Sequence, residues 1–185
     1  MILKMIEEEI PYTGQELTSH WAFRRFDLLG DSLVAFTGSC DVPLDRMADL
    51  KDVKQNAPIH STRMLHLIAE HFGVGLETAV LRQRLLICIL SEILNKELQE
   101  RTIHRKGDDL YEGDAKLSVS IAVKSPVSSM IHVGMNVESR GTPVRTVGLN
   151  DLGVNPESLA RTAMKRYQEE MEEIAEAQCK VRGVS

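Results

Sequence analysis

Four short strand-like runs lie between two long segments of helical periodicity, and this order limits the folds open to the chain. The first helical segment covers about residues 77–97. There Leu81, Leu85, Leu86, Ile89, Leu90, Ile93 and Leu94 make an apolar stripe wide enough to cover a sheet. The second begins near Pro156, with Asn155 placed to cap it and Leu159, Ala163, Met164, Tyr167, Met171 and Ile174 on one face. Strands are expected between them at about 102–105, 110–112, 116–123 and 130–137, and Ser125-Pro126 marks a turn between the last two. Helices with one apolar stripe need a shared surface on which to bury it. The pattern therefore predicts a single α+β domain over residues 1–185, with a mixed, largely antiparallel sheet and helices packed mainly on one face.

The N-terminal half is expected to add two strands, at 21–27 and 32–37, joined by a hairpin turn at 28–31. Residues 38–56 are polar and contain Pro43; they suit either a ligand-covering loop or a plain surface connection. Ser61 is placed to cap a helix to about Phe72, with Met64, Leu65, Leu67, Ile68 and Phe72 on its apolar face and Gly73 as its stop. On such a helix His66 and Glu70 share a face and His71 lies about 100° further round. That spacing fits neither zinc-binding helix pattern, so a structural role is expected for the three.

The segment 105–121, Arg-Lys-Gly-Asp-Asp-Leu-Tyr-Glu-Gly-Asp-Ala-Lys-Leu-Ser-Val-Ser-Ile, carries the densest chemistry. Gly113-Asp114 suits a chain reversal, after which Lys116 opens an alternating strand. The reversal brings Lys116 back toward the carboxylates Asp108 and Asp109. Such a group can hold a polyphosphate through the lysine and a carboxylate-bound Mg²⁺. The same spacing also suits an exposed hairpin with ordinary surface charges.

This segment resembles the central motif of the biotin and lipoate protein ligases, in which an Asn-Asp pair and Leu/Ile-Tyr precede, after a turn, Lys-Leu/Ile and a small residue. Asp109 falls on the motif aspartate, Asp108 on its asparagine and Lys116 on its lysine. Residues 131–137, Ile-His-Val-Gly-Met-Asn-Val, resemble the Gly-Ile-Asn-Val strand of biotin ligases. Pro143, Thr146 and residues 149–154 resemble the approach to their final catalytic-domain helix, and the helix at 82–97 sits where theirs precedes the motif. The similarity spans roughly residues 76–178. The whole chain also resembles a family of small proteins known only as a domain of unknown function. Two departures stand out. Residues 61–105 hold only Gly73 and Gly75, with no glycine- and arginine-rich loop to wrap phosphates, and Val119 stands where the ligases have a small glycine.

The resemblance implies a biotin/lipoate ligase-like fold and an acyl-adenylating enzyme that activates a small carboxylic acid with ATP. Lys116 would be catalytic, Asp109 would hold Mg²⁺, and Asp108, Arg105 and Asn136 would contact nucleotide or ligand. Ser61 and Thr62 are further candidates, since biotin ligases bind the biotin ring through a Ser-Thr pair at a comparable place; here the pair also reads as a helix cap. A binding module without turnover is the alternative that the missing loop favours. ATP-independent acyl transfer, with Cys40 as nucleophile, is a third. The ligases also imply a homodimer.

Composition narrows the partners. A net charge of −5 and 4% aromatic residues argue against general nucleic-acid binding. No run approaches the ~20 apolar residues of a membrane span. Three widely spaced cysteines form no zinc or disulfide pattern, which suggests a reducing cytoplasm.

Overall fold

The computed structural model describes residues 1–139 and 145–184. Pro143, one of the positions carrying the resemblance, lies outside the described residues.

A five-stranded sheet forms the centre, in the order β1-β2-β3-β8-β7. It comprises β1 (Ile2–Met5), β2 (Ser32–Val42), β3 (Ile59–Phe72), β7 (Ser118–Lys124) and β8 (Ser128–Asn136). Only β1, parallel to β2, departs from antiparallel pairing within this sheet. A smaller antiparallel sheet holds β4 (Ile103–Lys106), β5 (Asp109–Glu112) and β6 (Ala115–Lys116). The long helices α3 (Leu76–Glu97) and α4 (Pro156–Lys180) pack together on one face of the large sheet. The fold is therefore α+β on a mixed, largely antiparallel sheet, as the periodicity predicts.

Alternation along the strands splits the core into two. Leu33, Ala35, Leu65, Leu67, Ile131 and Val133 face the helices and meet Leu86, Leu90, Leu159 and Tyr167. Val34, Phe36, Met64, Ile68 and Met130 face the other way, under Ile10, Tyr12, Trp21 and Met47. Burial of each large apolar side chain contributes about 1.5–3 kcal/mol. The stripe expected on α3 is displaced slightly: Ile87 is fully buried, whereas Leu81 is exposed. On α4 the cap is as expected, with Asn155 Oδ1 accepting from the Ser158 amide at 2.9 Å.

Three expected elements differ: the strand expected at 116–123 divides at Leu117 into β6 of the small sheet and β7 of the large one, and two others change type. Residues 59–72 form the central strand β3, not a helix. Covered on both faces, a central strand needs apolar residues on both, and the run Met64-Leu-His-Leu-Ile then satisfies helical and strand spacing alike. Gly73, at φ 72°, turns the chain out of the strand. Residues 21–27 are not a strand. They contain the short helix α1 (Trp21–Phe26), flanked by left-handed His20 and Asp27, with Trp21 and Ala22 buried.

The segment before α1 covers the sheet face opposite α3 and α4. Ile6, Ile10 and Tyr12 each donate an amide to β2, at Ala35, Thr37 and Ser39. Gly38 permits this approach, because a Cβ there would overlap the Ile10 carbonyl. Between β2 and β3 the chain makes a single turn at Leu44–Arg46 and a short helix α2 (Leu50–Gln55) capped by Asp49. Among the described residues no helix is long and apolar enough to cross a membrane.

Candidate functional site

Lys116 is fixed first through its backbone. Its amide donates to the Arg145 carbonyl at 2.9 Å, its carbonyl accepts from the Val147 amide at 3.1 Å, and Asn136 Nδ2 donates to the same carbonyl at 3.2 Å. Gly113, at φ 53°, reverses the chain between β5 and β6 and places Lys116 opposite Tyr111. The side chain then runs back to Asp109, whose Oδ2 lies 2.7 Å from Nζ. Asp109 Oδ1 is buried and has no hydrogen-bond partner.

Burial works against the charge of both groups. It pushes the Asp109 carboxyl above its ordinary value, more than the Lys116 ammonium pulls it down. For Lys116, burial is outweighed by the Asp109 carboxylate, with smaller help from Tyr111 and Asp52, so the ammonium is held above its ordinary value. Lys116 therefore stays cationic through the neutral range.

Asp108 has different partners. It sits in the turn opened by Gly107, 3.9 Å from Arg84 and 3.4 Å from Gln83 Nε2, both on α3. Gln83 also donates to Ser120 Oγ, which donates to the Asp108 carbonyl, each at 2.7 Å. The long apolar helix thus holds the turn in place through one buried glutamine.

These residues wall a cavity of about 160 Å³ on the face of the sheet opposite α3 and α4. Its rim is polar: Arg46, Asp49 and Asp52 from the β2–β3 connection face Asp108, Asp109 and Lys116. Val42, Met47, Ile59, Val119 and Ile121 supply apolar wall, and Tyr12, Cys40 and His132 form a buried floor. The connection at 38–56 therefore contributes to the cavity in addition to crossing the surface.

The other positions singled out in the sequence scatter. Asn136 is buried and supports Lys116 from behind, outside the cavity wall. Arg105 is exposed and donates to the Gly107 carbonyl at 2.6 Å, away from the cavity, because β4 pairs it with Leu110 and turns it toward α3, beside Ser91 and Glu92, on the opposite side of the small sheet from Asp109. Thr62 is exposed. Ser61 caps no helix. It lies inside β3, opposite Cys40, with its hydroxyl buried and unpartnered. A bulge between Gly38 and Cys40 sets three steps of β3 against two of β2, which turns Ser61 to the face that Cys40 occupies. Cys40 lines the cavity, but burial, with Asp41 and Glu16 nearby, pushes its thiol up to about 12. A thiol held protonated is a poor nucleophile. The three cysteines are free.

His66, Glu70 and His71 are all buried, and the strand explains their division. Glu70 Oε1 accepts from the His20 amide at 2.7 Å and from Ser128 Oγ at 2.6 Å. His71, on the helix side, bonds Tyr167 Oη at 2.9 Å and Asp31 at 3.0 Å. Among the described residues, no group of three or more histidines, cysteines or acids is arranged to hold a metal. Tyr12, Arg46, Asp49 and Asp52 carried no local motif, since only the tertiary fold brings them to the site.

A sheet with paired helices on one face and a lysine–aspartate hairpin beside a cavity on the other defines a protein of the biotin/lipoate ligase-like fold. A biotin protein ligase from Aquifex aeolicus aligns with a TM-score of 0.61 at 17% identity, over 95% of this chain and 72% of that one. The same ligase is known in complex with biotin and ATP. The chain belongs to the family described as Domain of unknown function (DUF366), which it matches over residues 1–182. Uncharacterized protein MJ0805 from Methanocaldococcus jannaschii is 40% identical over 181 residues, covering 94% of this chain and 81% of that protein. A Protein of Unknown Function from Pyrococcus horikoshi has a similar structure, with a TM-score of 0.92 at 38% identity over 99% of this chain and 100% of that one.

Proposed function

We propose that the cavity binds a small carboxylic acid beside a nucleotide and forms an acyl-adenylate. The single observation that carries this reading is the Lys116 ammonium, 2.7 Å from Asp109, in the wall of a cavity on a ligase-like fold. In the reaction a carboxylate oxygen of the acid attacks the α-phosphorus of ATP. The new O–P bond forms as the bond to the β-phosphate oxygen breaks and pyrophosphate leaves. Lys116 stabilises the negative charge that gathers on the phosphoryl oxygens, a contribution of roughly 3–4 kcal/mol for a well-placed donor. Asp109 orients the ammonium. An acceptor nucleophile would then take the acyl group and release AMP.

The cavity wall carries four carboxylates (Asp49, Asp52, Asp108 and Asp109) against two cations, Arg46 and Lys116. A bare polyphosphate meets net repulsion there. The unpartnered Asp109 Oδ1 suits a hard cation, and a magnesium ion takes one or two carboxylates together with water and phosphate oxygens. Bound there by Asp109, Mg²⁺ would offset the phosphate charge.

The test is acid-dependent exchange of pyrophosphate into ATP, with biotin, lipoate and octanoate as the acid panel. Wild-type protein should exchange with at least one acid, and Lys116→Ala should lose about 10²–10³ of the rate. Equal exchange by the variant rules out the role given to Lys116. The acidic wall and Val119 favour a second reading, a binding module without turnover. Calorimetry showing that an acid binds, in a protein that performs no exchange with Mg²⁺ and ATP present, would select it.

A further inference from the structure

The floor of the cavity holds a histidine pair that the adenylation chemistry does not use. His66 Nδ1 and His132 Nε2 are 3.0 Å apart, so in the neutral pair one of these nitrogens carries a hydrogen and the other accepts it. The two tautomers differ in what they leave elsewhere. The backbone carbonyls of Gly38 and Ser39 lie close enough to the His66 ring to favour its protonated form, although Nε2 completes no hydrogen bond to either. If His66 Nδ1 donated, Nε2 would be a bare lone pair; if His132 Nε2 donates, His66 Nε2 carries the hydrogen that those carbonyls favour. The second arrangement is the better one, so His132 is the donor. His132 Nδ1 is then the free lone pair. It makes no hydrogen bond among the described residues, and His132 belongs to the cavity wall.

The ring is held in one orientation. Tyr12 stacks on it with centroids 3.8 Å apart and planes 13° from parallel. Gly134 leaves space for it, since a Cβ there would lie 3.3 Å from His132 Cε1 and 3.0 Å from the Met64 methyl. The groups that form the floor are uncharged, and the nearest charges behind them, Glu16 and Asp41, are both anionic. Burial, and then His66, keep His132 neutral, while burial keeps the Cys40 thiol and the Tyr12 phenol protonated. An anionic ligand group reaching this floor would lose its hydration, meet no cation there and be repelled by Glu16 and Asp41. The cations of the rim, Lys116 and Arg46, are by contrast the groups able to meet a carboxylate.

We infer that His132 is a specificity-determining residue whose Nδ1 accepts a hydrogen bond from an uncharged N–H or O–H group on the inner end of the ligand. This deepens the proposed function, and rests on it only for identifying the outer end of the ligand as a carboxylate. His66 is the positioning residue that sets the tautomer.

Full-length protein labelled with ¹⁵N in its imidazole rings tests the inference without nucleotide or acid. Long-range ¹H–¹⁵N correlation should show His132 protonated at Nε2 and bare at Nδ1; protonation at Nδ1 overturns the assignment. The probes are then 2-pyrrolidinone, a neutral N–H donor, and N-methyl-2-pyrrolidinone, which lacks that hydrogen. 2-Pyrrolidinone should move the His132 Nδ1 resonance and bind about tenfold more tightly than its methylated form. Equal responses, or no response to either, overturn the inference. Pyrophosphate exchange is measured separately, so a failure here leaves the adenylation reading standing, and the converse holds.

Discussion

Lys116 and Asp109 satisfy each other at a half-buried position, and removing either leaves the other short of a partner. Lys116→Met should lower the free energy of unfolding by about 1–2 kcal/mol, measured by urea denaturation, because the largely buried Asp109 carboxylate then loses its counter-charge. The buried histidines give a pH signature. Burial lowers His66 from 6.5 to about 4 and also holds His132 well below 6.5. In the unfolded chain both bind protons as the pH falls through 6.5, whereas the native pair stays neutral. Their contribution is therefore intact above that pH and shrinks on acidification, by about 2 kcal/mol for His66 between pH 7 and pH 5 and in the same direction for His132. His66→Gln should make this slope shallower when unfolding is followed across that range. An unchanged slope would mean that His66 is not the buried neutral group described.

The elements divide by what covers them. The helices α3 and α4 were legible because each buries one stripe, and the Asn155 cap and Pro156 mark where α4 starts. The hairpin from β5 to β6 was legible from Gly113 and the flanking alternation. β3 was not, since a strand buried on both faces loses the alternation that would distinguish it from a helix. α1 was missed because six residues hold too few turns to show a period, and its limits depend on left-handed His20 and Asp27, a conformation that these residue types adopt more often than most but still only in a minority of cases. The close approach at Gly38 gives the element-scale prediction. Gly38→Ala should cost about 1–3 kcal/mol, seen as a lower Tm, by pushing the Ile6–Tyr12 segment off β2. A substitution without effect would show that this segment does not pack against β2 as described.

At the scale of the molecule, the large sheet separates two tasks. One face carries α3, α4 and most of the apolar core, and the other carries the cavity under the N-terminal segment and the β2–β3 connection. Half of the site could be read from one stretch of sequence, because Asp108, Asp109 and Lys116 share a hairpin. The rest could not, because Tyr12, Arg46, Asp52 and His132 lie far apart along the chain and meet only through strand order. Arg105 was misplaced for a related reason: its proximity in sequence to Asp108 does not carry it to the same side of the small sheet. The central claim is that this cavity joins a carboxylic acid to AMP. It is tested most directly by incubating the protein with Mg²⁺, ATP and each of biotin, lipoate and octanoate, quenching in acid, and measuring acyl-AMP by mass spectrometry. An acyl-AMP formed with pyrophosphate by the wild-type protein, and absent with Lys116→Ala, is the expected result; an acid that binds without any acyl-AMP appearing would contradict it.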